Sequence, residues 1–357
     1  TCVSRNPMTK PVVVIDPDWR RMDELFSEAA QNELAHDYDV VWGRDGAIPD
    51  TILNAALSKA HVLIAATPRL DAQTLARAPQ LHTVIEVSGA FPATIDYDAC
   101  FASGVEVLSC APGFRQSVAE MGLAMALAGA RGLVAEHEAF RLGNERWLSD
   151  NPVTDFTIYG AKIGFIGFGQ IAQELMRLLA PFRTAVSVYD PWLPDHVAES
   201  YGVSLASLDE VLATSRCLFV TAVPTSDNYH LLDAARLAQL QDNALLILLS
   251  RAHLVDFAAL SAELDTRRIR ACVDVFPTEP LPQNAAMRRQ SGAILSPHRA
   301  AAVDKGRQLI GDMILADLRA KAAGDTTRQL SKANANTINV LAGIGDAEEV
   351  ADMAKSR

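Results

Sequence analysis

Cysteine is scarce in this chain and never in a paired spacing. Cys2, Cys100, Cys110, Cys217 and Cys272 are an odd number without a C-x-x-C, which argues against a disulfide framework, and no metal site is read from the sequence. Three of the five lie in apolar runs, the setting of buried free thiols in a reducing cytoplasm. Long hydrophobic stretches are also missing. The longest, Val118 to Arg131, contains Glu120 and falls short of the ~20 residues a bilayer-spanning helix needs. The first ten residues have no basic start followed by an apolar core, so no secretory leader is expected and Met8 is read as the natural start. Basic charge is in deficit: 32 lysines and arginines face 43 aspartates and glutamates, a formal net charge of −11. That balance argues against nucleic acid and anionic membrane as partners. No internal repeat or low-complexity tract is found.

What is present is an alternation of short β-branched runs with helical-period segments, the pattern of parallel sheets covered by helices. The class is α/β, and 357 residues suit two domains. In the first part strands are expected at Val12 to Ile15, Asp39 to Trp42, Val62 to Ala66, Thr83 to Val87 and Val105 to Leu108. None is followed by a glycine-rich turn. One buried helix is expected over Ser117 to His137, where a polar face is nearly absent. A second strand series follows at Ile163 to Ile166, Val186 to Tyr189, Leu218 to Ala222, Leu245 to Leu249, Ala271 to Val275 and Ile294 to Leu295. A helix over about 300–323 is expected to return to the first domain. The division is therefore 8–117 with 300–330, a domain at 118–299, and an arm or tail at 331–357 carrying Ile338, Val340, Leu341 and Val350.

The segment Lys162-Ile-Gly-Phe-Ile-Gly-Phe-Gly-Gln-Ile-Ala172 reads as a dinucleotide-binding turn. Gly167 permits the tight turn after a strand, Gly169 lets amides approach a pyrophosphate, and Ala172 is small enough for helix-on-strand packing. Ile171, Leu175, Leu178 and Leu179 then run at helical spacing, so the helix N-terminus faces the anion. Asp190 closes the next strand, where a carboxylate accepts from ribose hydroxyls and repels a 2′-phosphate. With Pro191 and Trp192 following instead of an arginine, NAD is expected over NADP.

Three ionisable residues fall after later strands, at the sheet end where ligands bind in such folds: Arg251, Glu279 and His298. Prolines at 277, 280 and 297 restrain their backbones. His253 and His230 read as packed or solvated, and Asp256 as a helix cap before Phe257.

At these residues the sequence resembles the D-isomer-specific 2-hydroxyacid dehydrogenase family, over about residues 11–330. The resemblance is carried by Pro112-Gly-Phe-Arg-Gln-Ser-Val-Ala-Glu120, the turn at 167–172, Val223-Pro224, Ser250-Arg251 with Val255-Asp256, Asp274 with Glu279-Pro280, and Pro297-His298. It implies two Rossmann-like domains, one flavodoxin-like and one NAD-binding, with a cleft between them, and a homodimer built through the cofactor domain and the segment from 117 to about 150. It implies that Arg251, Glu279 and His298 are the catalytic set for interconverting a 2-hydroxy acid and its 2-keto acid. The chemistry is consistent: reduction needs a proton on the carbonyl oxygen, which a histidine can deliver. A carboxylate on the other ring nitrogen fixes its tautomer, and an arginine fork orients the substrate. NAD contacts are implied at Gly167, Gly169, Gln170, Ile171, Asp190, Val223, Pro224, Ser250 and Asp274, the last near the nicotinamide.

The family holds the substrate carboxylate partly by amides of a glycine-rich loop. Here that loop is Glu86-Val-Ser-Gly-Ala-Phe-Pro-Ala-Thr-Ile-Asp96, which places Ser88, Gly89 and Ala90 at the substrate. Phe91 replaces a usual glycine, Arg115 a usual asparagine, and Ala252 the glycine after the arginine. Arg115 is expected to meet an additional anionic or polar group on the substrate. Two rival readings exist: an NAD(H)-sensing corepressor-like protein of the same fold, and a formate dehydrogenase, disfavoured because that subfamily has glutamine where this chain has Glu279.

Overall fold

The computed structural model describes residues 10–147 and 151–341. Cys2, Met8 and Val350 lie outside them. The chain divides into two compact units: one takes in the described residues up to Phe114 and from Asp304 onward, the other is Arg115–Val303.

The first unit carries strands β1 (Val12–Asp16), β2 (Asp39–Trp42), β3 (Ala60–Ala65), β4 (Thr83–Glu86) and β5 (Glu106–Ser109). They pair in parallel in the order β2, β1, β3, β4, β5, the flavodoxin-like arrangement. Apolar clusters lie on both faces, one around Val13, Ile15, Phe26 and Ile314, the other around Val14, Leu57, Val84 and Val107. Burial on both faces explains why the strands read as continuous apolar runs. Ser331–Lys332 adds an antiparallel edge on β5, and Ile338 is buried in the second cluster. The start of the 331–357 segment is thus part of the sheet.

The returning helix is shorter than expected. It is Leu309–Ala322, and the residues before it, including the left-handed Lys305, are turns. Its apolar side, Ile310, Met313, Ile314 and Leu318, enters the first cluster. Asp317 in this helix accepts from the amides of Gln329 and Leu330, fixing the approach to the edge strand.

The second unit has β6 (Lys162–Ile166), β7 (Ala185–Tyr189), β8 (Ser204–Leu205), β9 (Cys217–Val220), β10 (Leu245–Leu248), β11 (Arg270–Val273) and β12 (Ala293–Leu295). All pairings are parallel, in the order β12, β11, β10, β9, β6, β7, β8. This is the doubly wound Rossmann order with the glycine turn on the strand where the winding reverses.

The single helix expected at 117–137 is two. Arg115–Ala130 ends ahead of Gly132, which sits at φ +60°, and Leu133–Arg141 leaves at 60° to it. Ala119, Gly122, Ala126 and Gly129 are buried, and their small size lets the first helix pack closely on β10, β11 and the helix Gln170–Leu179. Asp256 caps Phe257–Asp265, accepting from the amides of Ala258 at 2.9 Å and Ala259 at 3.0 Å.

Cys100, Cys110, Cys217 and Cys272 are buried free thiols. Burial pushes Cys100 up to about 11 and Cys272 up to about 12, so neither supplies a nucleophile near neutrality. Among the described residues no single helix is long and apolar enough to cross a membrane, and no cluster of side chains has metal-ligand geometry.

Candidate active site

The turn after β6 requires glycine at 167. Its φ is +83°, and a Cβ there would stand 2.4 Å from the Ala222 Cα and 2.5 Å from the Ala222 nitrogen, both backbone atoms. The Thr221 hydroxyl donates to the Gly167 carbonyl at 2.7 Å. Phe168 is buried with its ring edge-on to Phe165 and Tyr201. Its amide donates to Asp190 Oδ2 at 2.8 Å, while the Trp192 amide donates to Oδ1 at 2.9 Å. Asp190 therefore ties the glycine turn to the end of β7 and keeps acceptor capacity on both oxygens.

These residues fit a dinucleotide. Gly169 is the N-cap of Gln170–Leu179, with no side-chain cap and nothing within 4 Å of where its Cβ would be. First-turn amides of a helix, here those of Gln170 and Ile171, lack helical acceptors, so the dipole and donors favour an anion. The Ser250 hydroxyl, at the end of β10, is buried without a hydrogen-bond partner among the described residues. Val223, after β9, is 52% exposed, an apolar side chain presented at the same sheet edge as Pro224.

Arg251, Glu279 and His298 follow β10, β11 and β12, three adjacent strands, and so share the carboxyl edge of one sheet. His298 Nδ1 and Glu279 Oε2 are 2.6 Å apart, and Glu279 Oε1 accepts the Phe276 amide at 2.8 Å. An ionised carboxylate only accepts, so Nδ1 carries the hydrogen and Nε2 is the nitrogen left for exchange. The Glu279 side chain is 13% exposed and that of His298 31%: the carboxylate is sheltered and the ring reaches outward. Arg251 is half-buried and extended, with Nη1 on the Ser250 carbonyl at 2.9 Å.

The backbone under His298 is held by Asp274. His298 has φ +51°, and its amide donates to the Asp274 carbonyl at 2.7 Å. The buried Asp274 carboxylate accepts from the Ser296 hydroxyl at 2.5 Å, the Arg299 amide at 2.9 Å and the Ala300 amide at 3.1 Å. These bonds offset a strained backbone, and any contact to a nicotinamide would share the same oxygens. Arg115, at the start of its helix, stands 3.9 Å from Glu174, which also pairs with Arg177 at 2.8 Å. His253 reaches the Thr225 carbonyl at 2.9 Å and His230 stacks on Tyr229, so both are packed.

In the first unit the loop after β4 holds Ser88, Gly89 and Ala90. Two residues of this region escape sequence reasoning. Glu86 is fully buried at the end of β4, and Arg20, 5% exposed, donates to the Val87 carbonyl at 3.1 Å. The available signal was a carboxylate inside Thr83-Val-Ile-Glu-Val87, a run that a parallel sheet must bury on both faces.

Residues 123–300 match the NAD binding domain of the D-isomer specific 2-hydroxyacid dehydrogenases. A crystal structure of a phosphoglycerate oxidoreductase from Rhizobium etli is 36% identical, with a TM-score of 0.80 over 91% of this chain and 99% of that one. D-3-phosphoglycerate dehydrogenase of Mycobacterium bovis is 29% identical over 319 residues, but the chain spans 58% of that relative's length. (S)-sulfolactate dehydrogenase of Chromohalobacter salexigens is 29% identical over 84% of this chain and 96% of its own length. With a Rossmann sheet that carries the glycine turn, Asp190 and the Arg251, Glu279 and His298 loops, the chain belongs to the D-isomer specific 2-hydroxyacid dehydrogenases.

Proposed function

We propose that the chain is an NAD-dependent oxidoreductase interconverting a 2-hydroxy acid and its 2-keto acid, with His298 as general acid and base. The observation that carries this is the 2.6 Å contact of His298 Nδ1 with Glu279, on the same sheet edge as Arg251. Bound NAD supplies or accepts the hydride at C2.

In the reducing direction His298 gives the carbonyl oxygen a proton from Nε2, and Glu279 stabilises the protonated ring and fixes its tautomer. Arg251 holds the substrate carboxylate with a planar fork. Asp274 is a positioning residue for the His298 turn, in addition to the place near the nicotinamide that the family resemblance implies. Gly167, Gly169, Gln170 and Ile171 hold the pyrophosphate, Asp190 the ribose, and Val223, Pro224 and Ser250 the nicotinamide side. Asp190 supports NAD over NADP. The fully buried thiols are compatible with a cytoplasmic setting. A homodimer is supported by the exposed Leu133, Phe140, Leu142 and Trp147, an apolar set on and just after the helix Leu133–Arg141.

The test is NADH oxidation over a panel running from glyoxylate, hydroxypyruvate and pyruvate to phenylpyruvate, with NADPH alongside. Turnover of at least one acid with a preference for NADH is expected. Tight NADH binding without turnover of any acid would replace the enzyme with a sensor.

A further inference from the structure

Lys162 and Arg216 stand side by side at the amino edge of the second unit's sheet. They precede the register pair Ile163 and Cys217 of the parallel strands β6 and β9, and the Arg216 amide donates to the Lys162 carbonyl at 2.9 Å. Neighbouring strands lie ~4.8 Å apart, so the two cationic side chains start from adjacent backbones. Both line a cavity of about 490 Å³, open to solvent, together with Phe156, Thr157, Thr214 and Gln241. That volume falls in the ~300–1,000 Å³ range of small-molecule sites. The glycine turn lies at the other end of β6, ~16 Å away at ~3.3 Å per residue.

Among the described residues no acid balances this pair. The Arg216 side chain bonds only carbonyls: Nη1 donates to Asp242 at 3.3 Å, and Nη2 to Val153 at 2.7 Å and Thr154 at 3.4 Å. Its guanidinium carbon lies 4.5 Å from the centre of the Phe156 ring. Carbonyl and ring dipoles steady a cation without cancelling its charge. The carboxylates of the same segments are engaged elsewhere: Asp155 pairs with Arg270 at 3.2 Å and Asp242 with Arg268 at 3.7 Å. Burial, and after it the charge of Arg270, push the Arg216 pKa down, as for a cation that has gained no anionic partner. The exposed Lys162 ammonium has neither a hydrogen bond nor an ion pair among the described residues. Like charges side by side on neighbouring strands oppose folding. In a chain with 43 aspartates and glutamates against 32 lysines and arginines, this pair is still left without an acid.

We propose that this cavity is a second ligand site of the cofactor-binding unit, and that it takes a small oxyanion of the phosphate class held between Lys162 and Arg216. The Nε hydrogen and one Nη1 hydrogen of Arg216 are unspent, and guanidinium donors suit phosphate oxygens while an ammonium adds a point charge. A dianion matches the two cations, whereas a monocarboxylate leaves one of them unbalanced. The hydroxyls of Thr214 and Thr157 already donate to the carbonyls of Glu210 and Tyr159, so the anion falls to the cations. The ligand is free phosphate or the phosphate end of a small monoester, whose organic part would occupy the remainder of the cavity. The site lies within one unit, uses no residue of the glycine turn, and stands apart from the hydride chemistry.

The experiment is calorimetric titration of the NADH-loaded protein with inorganic phosphate and, separately, with glycerol phosphate. Loading with NADH first fills the glycine turn, whose amides would also take phosphate. Lys162→Glu reverses the exposed charge and Lys162→Arg keeps it. The phosphate Kd is expected to rise about tenfold or more in Lys162→Glu and to stay within about threefold of the wild type in Lys162→Arg, the worth of a charge-assisted contact. Arg216→Gln weakens binding by a similar factor; should it fail to fold, the two Lys162 variants carry the comparison. Binding in the wild type weakens as ionic strength rises. A lower Kd for glycerol phosphate assigns the site to a monoester, and equal values assign it to free phosphate; both support it. No binding of either probe to the wild type overturns the proposal. So does the same Kd in Lys162→Glu as in the wild type, because the phosphate would then sit elsewhere.

Discussion

His298 Nδ1 sits 2.6 Å from the Glu279 carboxylate, and the same carboxylate accepts the Phe276 amide with its other oxygen. The ring is thereby fixed in plane and tautomer by a group that is itself anchored to the backbone. Glu279→Gln offers a single carbonyl oxygen, so one of these two bonds is lost. A fall in kcat of about 10²-fold is expected, with NADH affinity unchanged, and steady-state kinetics with fluorescence titration of NADH checks both.

Asp190 holds the Phe168 and Trp192 amides, and in the proposed function it accepts from a ribose. Asp190→Ser keeps a small acceptor and removes the charge. The KM for NADH is expected to rise about tenfold and the discrimination against NADPH to shrink by a similar factor. Paired titrations with the two nucleotides measure the ratio.

Gly167→Ala would drive a methyl into the Ala222 backbone at a φ of +83°. Neither partner is a flexible side-chain end, so the turn must deform. A loss of about 2–4 kcal/mol is expected, read as a lowered urea midpoint, together with loss of NADH binding.

Arg115, at the start of its helix, stands 3.9 Å from Glu174. If it meets a second polar or anionic group on the substrate, Arg115→Ala raises KM about tenfold for acids carrying such a group and leaves the others unchanged. An equal KM for both kinds of acid in the variant removes Arg115 from substrate recognition.

Glu106 in β5 meets Lys321 at 3.2 Å, Arg328 at 3.1 Å and Lys332 at 3.0 Å. Burial pushes its carboxyl up, but the hydrogen bonds of Lys332 and Lys321 outweigh this and hold it below the usual glutamate range. A depressed folded-state pKa stabilises the fold above the unfolded glutamate value and ceases to do so as pH falls through the folded one. Glu106→Gln should therefore cost about 3 kcal/mol at neutral pH. The gap in Tm from the wild type should close as the solution is acidified below the ordinary glutamate pKa.

The sheets were legible because their central strands are buried on both faces and read as unbroken apolar runs, as in Leu245 to Leu248. The pieces that escaped are short and polar. Ser204–Leu205 and Ser331–Lys332 are two-residue edges with no periodicity to detect. The break at Gly132 escaped because the residues on both sides keep helical composition, and only the left-handed φ marks the turn. The places of Arg251, Glu279 and His298 after successive strands put them on one sheet edge from the sequence alone, but the Asp274 clamp beneath His298 and the amides gathered on the buried Glu86 carboxylate could not be read there. Both are contacts made by a buried acid with backbone amides, and such contacts depend on how loops fold back, which residue type alone does not encode.

The most direct measurement is the kcat of His298→Ala on the best 2-keto acid, at saturating NADH and at equal nucleotide occupancy. The account expects a fall of about 10²–10⁴-fold with NADH affinity and Tm close to wild type. Turnover within about twofold of the wild type would contradict it, since His298 would then not be the group that moves the proton.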